Sequence, residues 1–134
     1  LLESYGAHPV NRGKADVEAY RWAGEQLSRD RALVVFPEGT RNNGRLIKAK
    51  TGVTRLVIDT RAPLIPVGIT GSERLGSMLR LFSPTGRIHV NIGPIFSLPY
   101  VEGNLNKEVV TSFTDIIMDR IARLLPKSYQ GVYS

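Results

Sequence analysis

One hexapeptide, Phe36–Arg41, holds most of the residues whose types and spacing could do chemistry. Within it a carboxylate, a glycine, a hydroxyl and a guanidinium follow one another, at Glu38, Gly39, Thr40 and Arg41. A guanidinium can bind phosphate through two parallel hydrogen bonds, and a glycine lets a ligand approach the backbone closely. The pattern indicates a site for a phosphorylated ligand. An ordinary turn is the alternative, because Pro-Glu-Gly also suits a turn.

Three apolar segments predict the strands that would position this hexapeptide. The continuous run Ala32–Phe36 is typical of a strand buried on both faces of a parallel sheet. The hexapeptide would then follow the carboxyl end of that strand, where open α/β sheets bind ligands. Leu64–Ile69 predicts a second buried strand, in which Pro66 indicates an edge or a bulge. Alternation in Arg87–Ile92 predicts a half-buried strand with His89 facing solvent.

Helical spacing of apolar residues predicts three helices between and after these strands. Lys14–Arg29 has Asp16 as its predicted cap, Thr51–Arg61 is shorter, and Asn106–Leu125 carries one long apolar stripe that should cover the core. Strands that alternate with helices predict a single α/β domain with a mostly parallel central sheet flanked by helices. Two weaker segments complete the alternation: a strand at Tyr5–Asn11 and a helix followed by a loop at Gly71–Pro84.

Composition excludes several kinds of site. The chain has 134 residues, of which 42% are apolar, and this suits one compact domain. Without cysteine it has no disulfide, no cysteine–zinc site and no cysteine nucleophile. Its two histidines, His8 and His89, are too few for a histidine metal cluster, so no metal site is predicted. No uncharged segment is long enough to suggest a transmembrane helix.

The positive charge is concentrated in the first two thirds of the chain. The net charge is +6, and residues 41–61 contain six basic residues and one acidic residue. Thirteen of the 18 basic residues are arginine, whose planar fork matches phosphate geometry. This indicates either a solvated basic surface or a partner with phosphates, such as a metabolite, anionic lipid headgroups or nucleic acid. Nucleic acid is disfavoured, because neither a known binding module nor alternating basic and aromatic residues are found.

Phe36–Arg41 resembles the signature block of the glycerolipid acyltransferases, which include the 1-acyl-glycerol-3-phosphate acyltransferases. Upstream, Gly6–Gly13 resembles the family block that ends in a phosphate-binding arginine, which would be Arg12. Downstream, Pro63–Val67 resembles the apolar strand block that is thought to line the acyl-binding region. Three shorter matches follow the family's order: Gly44-Arg45-Leu46, Lys50-Thr51-Gly52 and the tail from Leu124 to Tyr133. The resemblance therefore covers nearly the whole chain.

The resemblance implies a glycerol-3-phosphate acyltransferase-like fold and direct acyl transfer. An acyl-CoA or acyl carrier protein thioester, as co-substrate without any cofactor, would acylate the hydroxyl of 1-acyl-glycerol 3-phosphate and give phosphatidic acid. Carried over residue by residue, the phosphate would be bound by Arg12 and Arg41, with added positive potential from Lys50. The glycerol end would be fixed by Glu38 and Thr40, beside Gly39. The acyl region would be lined by Pro63, Leu64, Ile65, Pro66 and Val67. The expected location is the cytoplasmic face of a membrane, beside an anionic lipid surface.

The family's catalytic block, His-x-x-x-x-Asp, is missing from these residues. Five positions after His8 lies Gly13, and five after His89 lies Pro94, so neither histidine has its aspartate. In the family the histidine is the general base and the aspartate orients it. The chain alone is therefore expected to bind an acceptor without catalysing transfer, as a single domain whose dyad lies upstream of Leu1. Two alternatives remain: a non-catalytic lipid- or phosphate-binding module of the same fold, and a basic domain that binds nucleic acid.

Overall fold

The structure is a computed structural model, and it describes residues 6–8, 16–72, 87–103 and 105–134. The predictions for Tyr5–Asn11 and Gly71–Pro84 lie largely outside these ranges. The described elements, in chain order, are α1 Val17–Ser28, α2 Gly52–Thr60, β1 Val67–Thr70, β2 His89–Ile92, α3 Lys107–Ala122, α4 Lys127–Gln130 and a 3-10 turn at Gly131–Tyr133. Among the described helices, none combines the length and apolar character needed to cross a lipid bilayer.

The first two helices form where the sequence predicts them. The Asp16 carboxylate accepts a hydrogen bond from the backbone N–H of Ala19 at 3.0 Å, which confirms it as the cap of α1. Helix α2 ends at Arg61, whose φ of 55° places it in the left-handed region. The two helices are joined by a short hydrogen bond that the hydroxyl of Tyr20 donates to the carboxylate of Asp59. This pair fixes how α1 lies against α2.

Helix α3 supplies much of the core. Asn106 caps it by accepting a hydrogen bond from the N–H of Val109 at 2.8 Å. One face is buried, and it consists of Val110, Phe113, Thr114, Ile117, Met118 and Ala122. The prediction of a core-covering helix is therefore confirmed. The helix ends at Ala122, three residues earlier than predicted, because i to i−3 bonds at Leu124 and Leu125 tighten the chain and direct it into the core.

A buried hydroxyl pair connects α2 to α3. The hydroxyl oxygens of Thr54 and Thr114 are 2.7 Å apart, and both side chains are almost completely buried. Thr114 also donates to the carbonyl of Val110 at 2.8 Å, so Thr54 must be the donor within the pair. Each hydroxyl hydrogen thus has a partner, as buried polar groups require.

The described residues form a small antiparallel sheet rather than the mostly parallel central sheet that the sequence predicts. Strands β1 and β2 pair from Val67 opposite Ile92 to Thr70 opposite His89. Beyond the ladder, Leu64 bridges Phe96, which leaves one extra residue on the second strand and makes a β-bulge beside Pro66. The expected bulge or edge at this proline is confirmed, whereas the parallel arrangement is not found.

The two faces of this sheet differ, and one differs from the prediction. Gly68 lies under the end of α3, where an added Cβ would be 3.0 Å from Leu124. On the same face, Asn91 donates its amide to the carbonyl of Leu124 at 2.9 Å. The opposite face is exposed and consists of Val67, Ile69, Val90 and Ile92. His89 is exposed as predicted, but the prediction of a half-buried strand is wrong, because all four residues of β2 are exposed.

The prediction of a buried strand at Ala32–Phe36 is wrong for this structure. The segment has no ladder partner among the described residues, and Val34 and Phe36 are 86% and 70% exposed. An apolar run records hydrophobicity, but burial on two faces also needs neighbouring strands and helices to cover it. A turn follows directly, in which the N–H of Gly39 donates to the carbonyl of Phe36 at 3.0 Å.

Candidate functional site

The predicted hexapeptide begins a closed loop, residues 37–50, which we call the site loop. Its first and last residues are joined, because the N–H of Lys50 donates to the carbonyl of Pro37 at 2.9 Å. Five of the predicted site residues therefore lie on one loop, namely Glu38, Gly39, Thr40, Arg41 and Lys50. The site is built on this loop, and helix α2 begins just after it at Gly52.

The carboxylate of Glu38 organises the front of the site loop. Its Oε2 atom accepts hydrogen bonds from the backbone N–H of Ile47 at 2.7 Å and from the Nδ2 amide of Asn42 at 2.5 Å. Asn42 in turn accepts a bond from the N–H of Gly44 at 2.9 Å. The bond between Asn42 and Glu38 was not predicted, although an asparagine two residues before a glycine is a known turn signal.

Gly39 and Lys50 lie in contact across the loop. Gly39 has a φ of 66°, which side-chain-bearing residues rarely adopt. A Cβ added there would be 3.1 Å from the Cδ atom of Lys50, so the lysine stem crosses directly over the glycine. This contact brings the ammonium group of Lys50 beside the hexapeptide.

Two guanidinium groups flank one groove on the loop surface. The groove is lined by Arg41, Asn42, Asn43, Arg45 and Ile47. Arg41 and Arg45 are both exposed, and neither forms an ion pair with the described residues. Arg45 was not among the predicted site residues. Thr40 is also exposed, and its hydroxyl makes one long contact of 3.5 Å, to the carbonyl of Arg41. These groups can therefore receive an anionic ligand that carries hydroxyl groups.

The C-terminal tail, residues 124–133, holds the back of the site loop, residues 46–49. The N–H of Leu46 donates to the carbonyl of Tyr129 at 2.9 Å, and the carbonyl of Leu46 accepts from Val132 at 3.2 Å. The hydroxyl of Tyr133 accepts a bond from the N–H of Ala49 at 3.0 Å. The side chain of Leu46 joins a buried cluster with Met118, Ala122 and Leu125. Sequence analysis gave the tail no positioning role, because these contacts join residues far apart in the chain.

The remaining predicted site residues lie elsewhere or outside the described ranges. Arg12 is one of the residues that the structure does not describe. Among the five predicted acyl-region residues, Pro66 is buried and Leu64 is half-buried, while the exposed positions are Pro63, Ile65 and Val67. No hydrogen bond connects this segment to the site loop within the described residues. Pro66 instead lines a cleft against α3 with Pro94, Ile116 and Leu124.

His8 has a packing role. Its ring stacks on Trp22 of α1, with ring centroids 4.5 Å apart and an angle of 10° between the planes. This packing contact agrees with the expectation of a structural or surface histidine, since position 13 is a glycine and not an aspartate.

Comparison with known proteins identifies the class. Residues 1–70, just over half of the chain, match the family model described as Acyltransferase, so the chain belongs to the glycerolipid acyltransferase family. It is similar to 1-acyl-sn-glycerol-3-phosphate acyltransferase alpha of Mus musculus, with 30% identity over 103 residues. That alignment covers 69% of this chain and 36% of the mouse protein.

A second relative is a plant protein. The 1-acyl-sn-glycerol-3-phosphate acyltransferase of Cocos nucifera is 38% identical over 48 residues, which is 35% of this chain and 16% of that protein. The chain thus spans about a third or less of the length of these relatives. No solved structure matches it significantly.

Proposed function

We propose that the complete protein containing this chain transfers an acyl group from a thioester to the hydroxyl of 1-acyl-glycerol 3-phosphate, giving phosphatidic acid. The observation that carries the proposal is the site loop, which gathers two guanidiniums without an ion pair among the described residues, a lysine and the Glu38 turn at the family's signature block. The names of the two relatives support this acceptor.

The acceptor's phosphate is bound by arginine in this proposal. Arg41 is exposed and lacks an ion pair among the described residues, so its fork is available for two-point binding. Lys50, held over Gly39, adds positive potential at the same turn. Arg12 provides a second phosphate contact, on the basis of the resemblance alone.

The glycerol end of the acceptor lies at the start of the loop. Gly39 has no side chain, which leaves room for the Lys50 stem and its ammonium group beside the start of the loop. The hydroxyl of Thr40 is exposed and can hydrogen-bond the glycerol. Glu38 uses Oε2 within the loop, and its other oxygen accepts no hydrogen bond from the described residues, so this oxygen is available to a glycerol hydroxyl.

The chemical step needs a base that these residues do not supply. In the proposed reaction the histidine of the family's catalytic block takes the proton of the glycerol hydroxyl as its oxygen attacks the thioester carbonyl. The new C–O bond forms, the C–S bond breaks, and the proton passes to the departing thiolate. The donor is acyl-CoA or acyl carrier protein, no further cofactor takes part, and Pro63–Val67 lies along the acyl chain. The chain by itself binds the acceptor but does not acylate it.

The basic segment also suits a membrane location. Residues 41–61 carry six basic residues and one acidic residue, which favours contact with anionic headgroups. The proposed location is the cytoplasmic face of a membrane, where the lysophospholipid acceptor is found.

Acyl transfer by the complete protein from oleoyl-CoA to lysophosphatidic acid tests the proposal. We expect Arg41→Ala to raise the KM for the acceptor roughly tenfold or more, since a charge-assisted bond contributes about 1.5–3 kcal/mol. Arg21→Ala is the matched control, because Arg21 is exposed on α1 outside the site loop. Equal kinetic constants for the two variants would remove Arg41 from the site.

A non-catalytic lipid- or phosphate-binding module of the same fold is the second candidate. It is favoured by one observation, namely that these 134 residues contain no His-x-x-x-x-Asp block. A complete protein that binds vesicles containing lysophosphatidic acid, but forms no phosphatidic acid with any thioester donor, would establish this second candidate.

A further inference from the structure

Asn42 is the most constrained polar side chain at the front of the site loop. Its amide is bonded at both ends: Nδ2 donates to Oε2 of Glu38 at 2.5 Å, and Oδ1 accepts from the N–H of Gly44 at 2.9 Å. Asn42 is half-buried, whereas Arg41 and Asn43 on either side of it are exposed. Its side chain therefore points into the loop while its neighbours point outward.

The same oxygen of Glu38 also accepts the backbone N–H of Ile47 at 2.7 Å. Asn42 and Ile47, four and nine residues beyond Glu38, thus both donate to a single oxygen atom. Arg45 lies between these two residues, and Arg41 lies just before the first. The bonds to Oε2 therefore fix the stretch of backbone that carries both guanidiniums.

We propose that Asn42 is a positioning residue for phosphate binding, which acts through Glu38 to hold Arg41 and Arg45 at the one groove that both line. This rests on the proposed function and extends it, because Arg45 joins Arg41 as a phosphate-binding residue of the site loop. A phosphate oxygen pair would then meet two preorganised forks, and the ligand would not have to order the loop itself.

The two hydrogen bonds of Asn42, to Glu38 and from Gly44, explain why an asparagine is needed at this position. Asparagine offers a donor to the carboxylate and an acceptor to the turn from nearly the same place. An aspartate at position 42 would keep the acceptor for Gly44 but would lose the donor and bring two carboxylates together. The substitution Asn42→Asp therefore breaks the bond to Glu38 while it leaves the turn bond intact.

Kinetics of the complete protein with lysophosphatidic acid and oleoyl-CoA provide the first test. We expect Asn42→Asp to raise the KM for the acceptor about tenfold with kcat within about twofold, because the arginines are displaced while the base is untouched. Asn43→Asp is the matched control, since it adds the same charge to the same groove without touching Glu38, and we expect a rise of about twofold. Equal rises in the two variants would overturn the proposal.

A second variant tests whether Glu38 acts on the loop or directly on the ligand. Both internal donors reach the same oxygen, and the carbonyl oxygen of a glutamine can accept both bonds. We therefore expect Glu38→Gln to raise the KM less than Asn42→Asp does. A larger rise for Glu38→Gln would mean that direct contact of Glu38 with the ligand outweighs its bonds within the loop, and the positioning role of Asn42 would fall.

Hydrogen exchange and calorimetry test the positioning role of Asn42 independently of the proposed acyl transfer. In the complete protein, Asn42→Asp should speed amide exchange at Ile47, and calorimetry should show weaker binding of inorganic phosphate, whether or not acyl transfer occurs. If the wild-type protein acylates nothing but both changes are seen, the proposed function fails and the positioning role stands. If the Ile47 amide exchanges at the wild-type rate in Asn42→Asp, the positioning role is refuted.

Discussion

The two halves of the site loop are held in different ways. The front, residues 38–45, is held by two bonds to one oxygen of Glu38, one from Asn42 and one from the N–H of Ile47 in the back, and its arginines are exposed. The back, residues 46–49, is held by backbone bonds to the C-terminal tail, and Leu46 is packed in the core. The back therefore anchors the loop, and the front is free to present charged groups to a ligand.

This difference separates stability from affinity. Burial of Leu46 and its backbone bonds contribute to the free energy of unfolding, because both are lost when the core opens. The front contributes less to that free energy, since none of residues 38–45 is buried and their side-chain bonds are only part-buried. Substitutions in the back half should therefore lower stability, whereas substitutions in the front half should mainly weaken ligand binding.

Gly131→Ala is expected to have the largest effect. Gly131 has a φ of 57°, and an added Cβ would lie 2.0 Å from the carbonyl oxygen of Leu46. The tail would have to move away from the loop, at a cost of about 3 kcal/mol in the free energy of unfolding. Denaturant unfolding of the complete protein, followed by circular dichroism, measures this. The matched control is Gly24→Ala in α1, where the Cβ meets open space and should stabilise by up to about 1 kcal/mol. Similar values for the two variants would disprove the tail's role.

Tyr133→Phe should have an intermediate effect. It removes the hydroxyl that accepts the N–H of Ala49 and keeps the ring packed against the core cluster. The expected loss is about 1 kcal/mol in the free energy of unfolding. Tyr100→Phe serves as the control, because Tyr100 is 69% exposed and its hydroxyl has no hydrogen bond to the described residues. If both variants unfold at the same denaturant concentration, the Tyr133 bond does not stabilise the back of the loop.

Asn42→Asp sharpens the comparison from the front half. Its expected effect on the free energy of unfolding is about 1 kcal/mol, well below that of Gly131→Ala, while its effect on acceptor KM is about tenfold. The same denaturant experiment measures the first quantity. A stability loss as large as that of Gly131→Ala would show that the front also anchors the loop, and the distinction between the halves would be lost.

Tyr20→Phe gives the smallest expected effect at neutral pH, and a distinct one at high pH. Burial and the neighbouring Asp59 carboxylate raise the pKa of Tyr20 above its ordinary value of 10.0. The folded state therefore keeps this proton when the unfolded chain releases it, so the contribution of Tyr20 is complete below about pH 10 and is lost as the pH rises further. Wild-type stability should fall above that pH more steeply than that of Tyr20→Phe. If the stability of the two proteins falls equally with rising pH, the hydrogen bond between Tyr20 and Asp59 does not stabilise the folded state.

Much of the helical structure could be predicted from local pattern. The cap at Asp16, the stripe along α3 and the bulge at Pro66 each depend on residues that are close in sequence. Ala32–Phe36 could not be predicted in the same way, because its burial depends on which other segments lie beside it. The exposure of β2 had the same difficulty, since an alternating pattern does not show which segment covers either face.

For the candidate site, the sequence identified the groups but not their arrangement. The hexapeptide indicated the site through its residue types, and Lys50 was included through resemblance; the structure adds that its stem lies over Gly39. Asn42 and Arg45 were missed, because a polar residue in a loop has no periodic signal. The tail's hold on Leu46 was also missed, since contacts between residues more than 80 positions apart leave no local pattern.

The sequence by itself determined the family, the helices and the presence of a carboxylate, a glycine and basic residues in one short segment, because these depend on residue type and local order. The tertiary structure decided which atoms meet: one oxygen of Glu38 holds Asn42 and Ile47, and the distant tail encloses Leu46. A hydrogen bond forms only when packing brings its donor and acceptor to the right separation within a few tenths of an ångström. Such distances are set only when the whole core has formed.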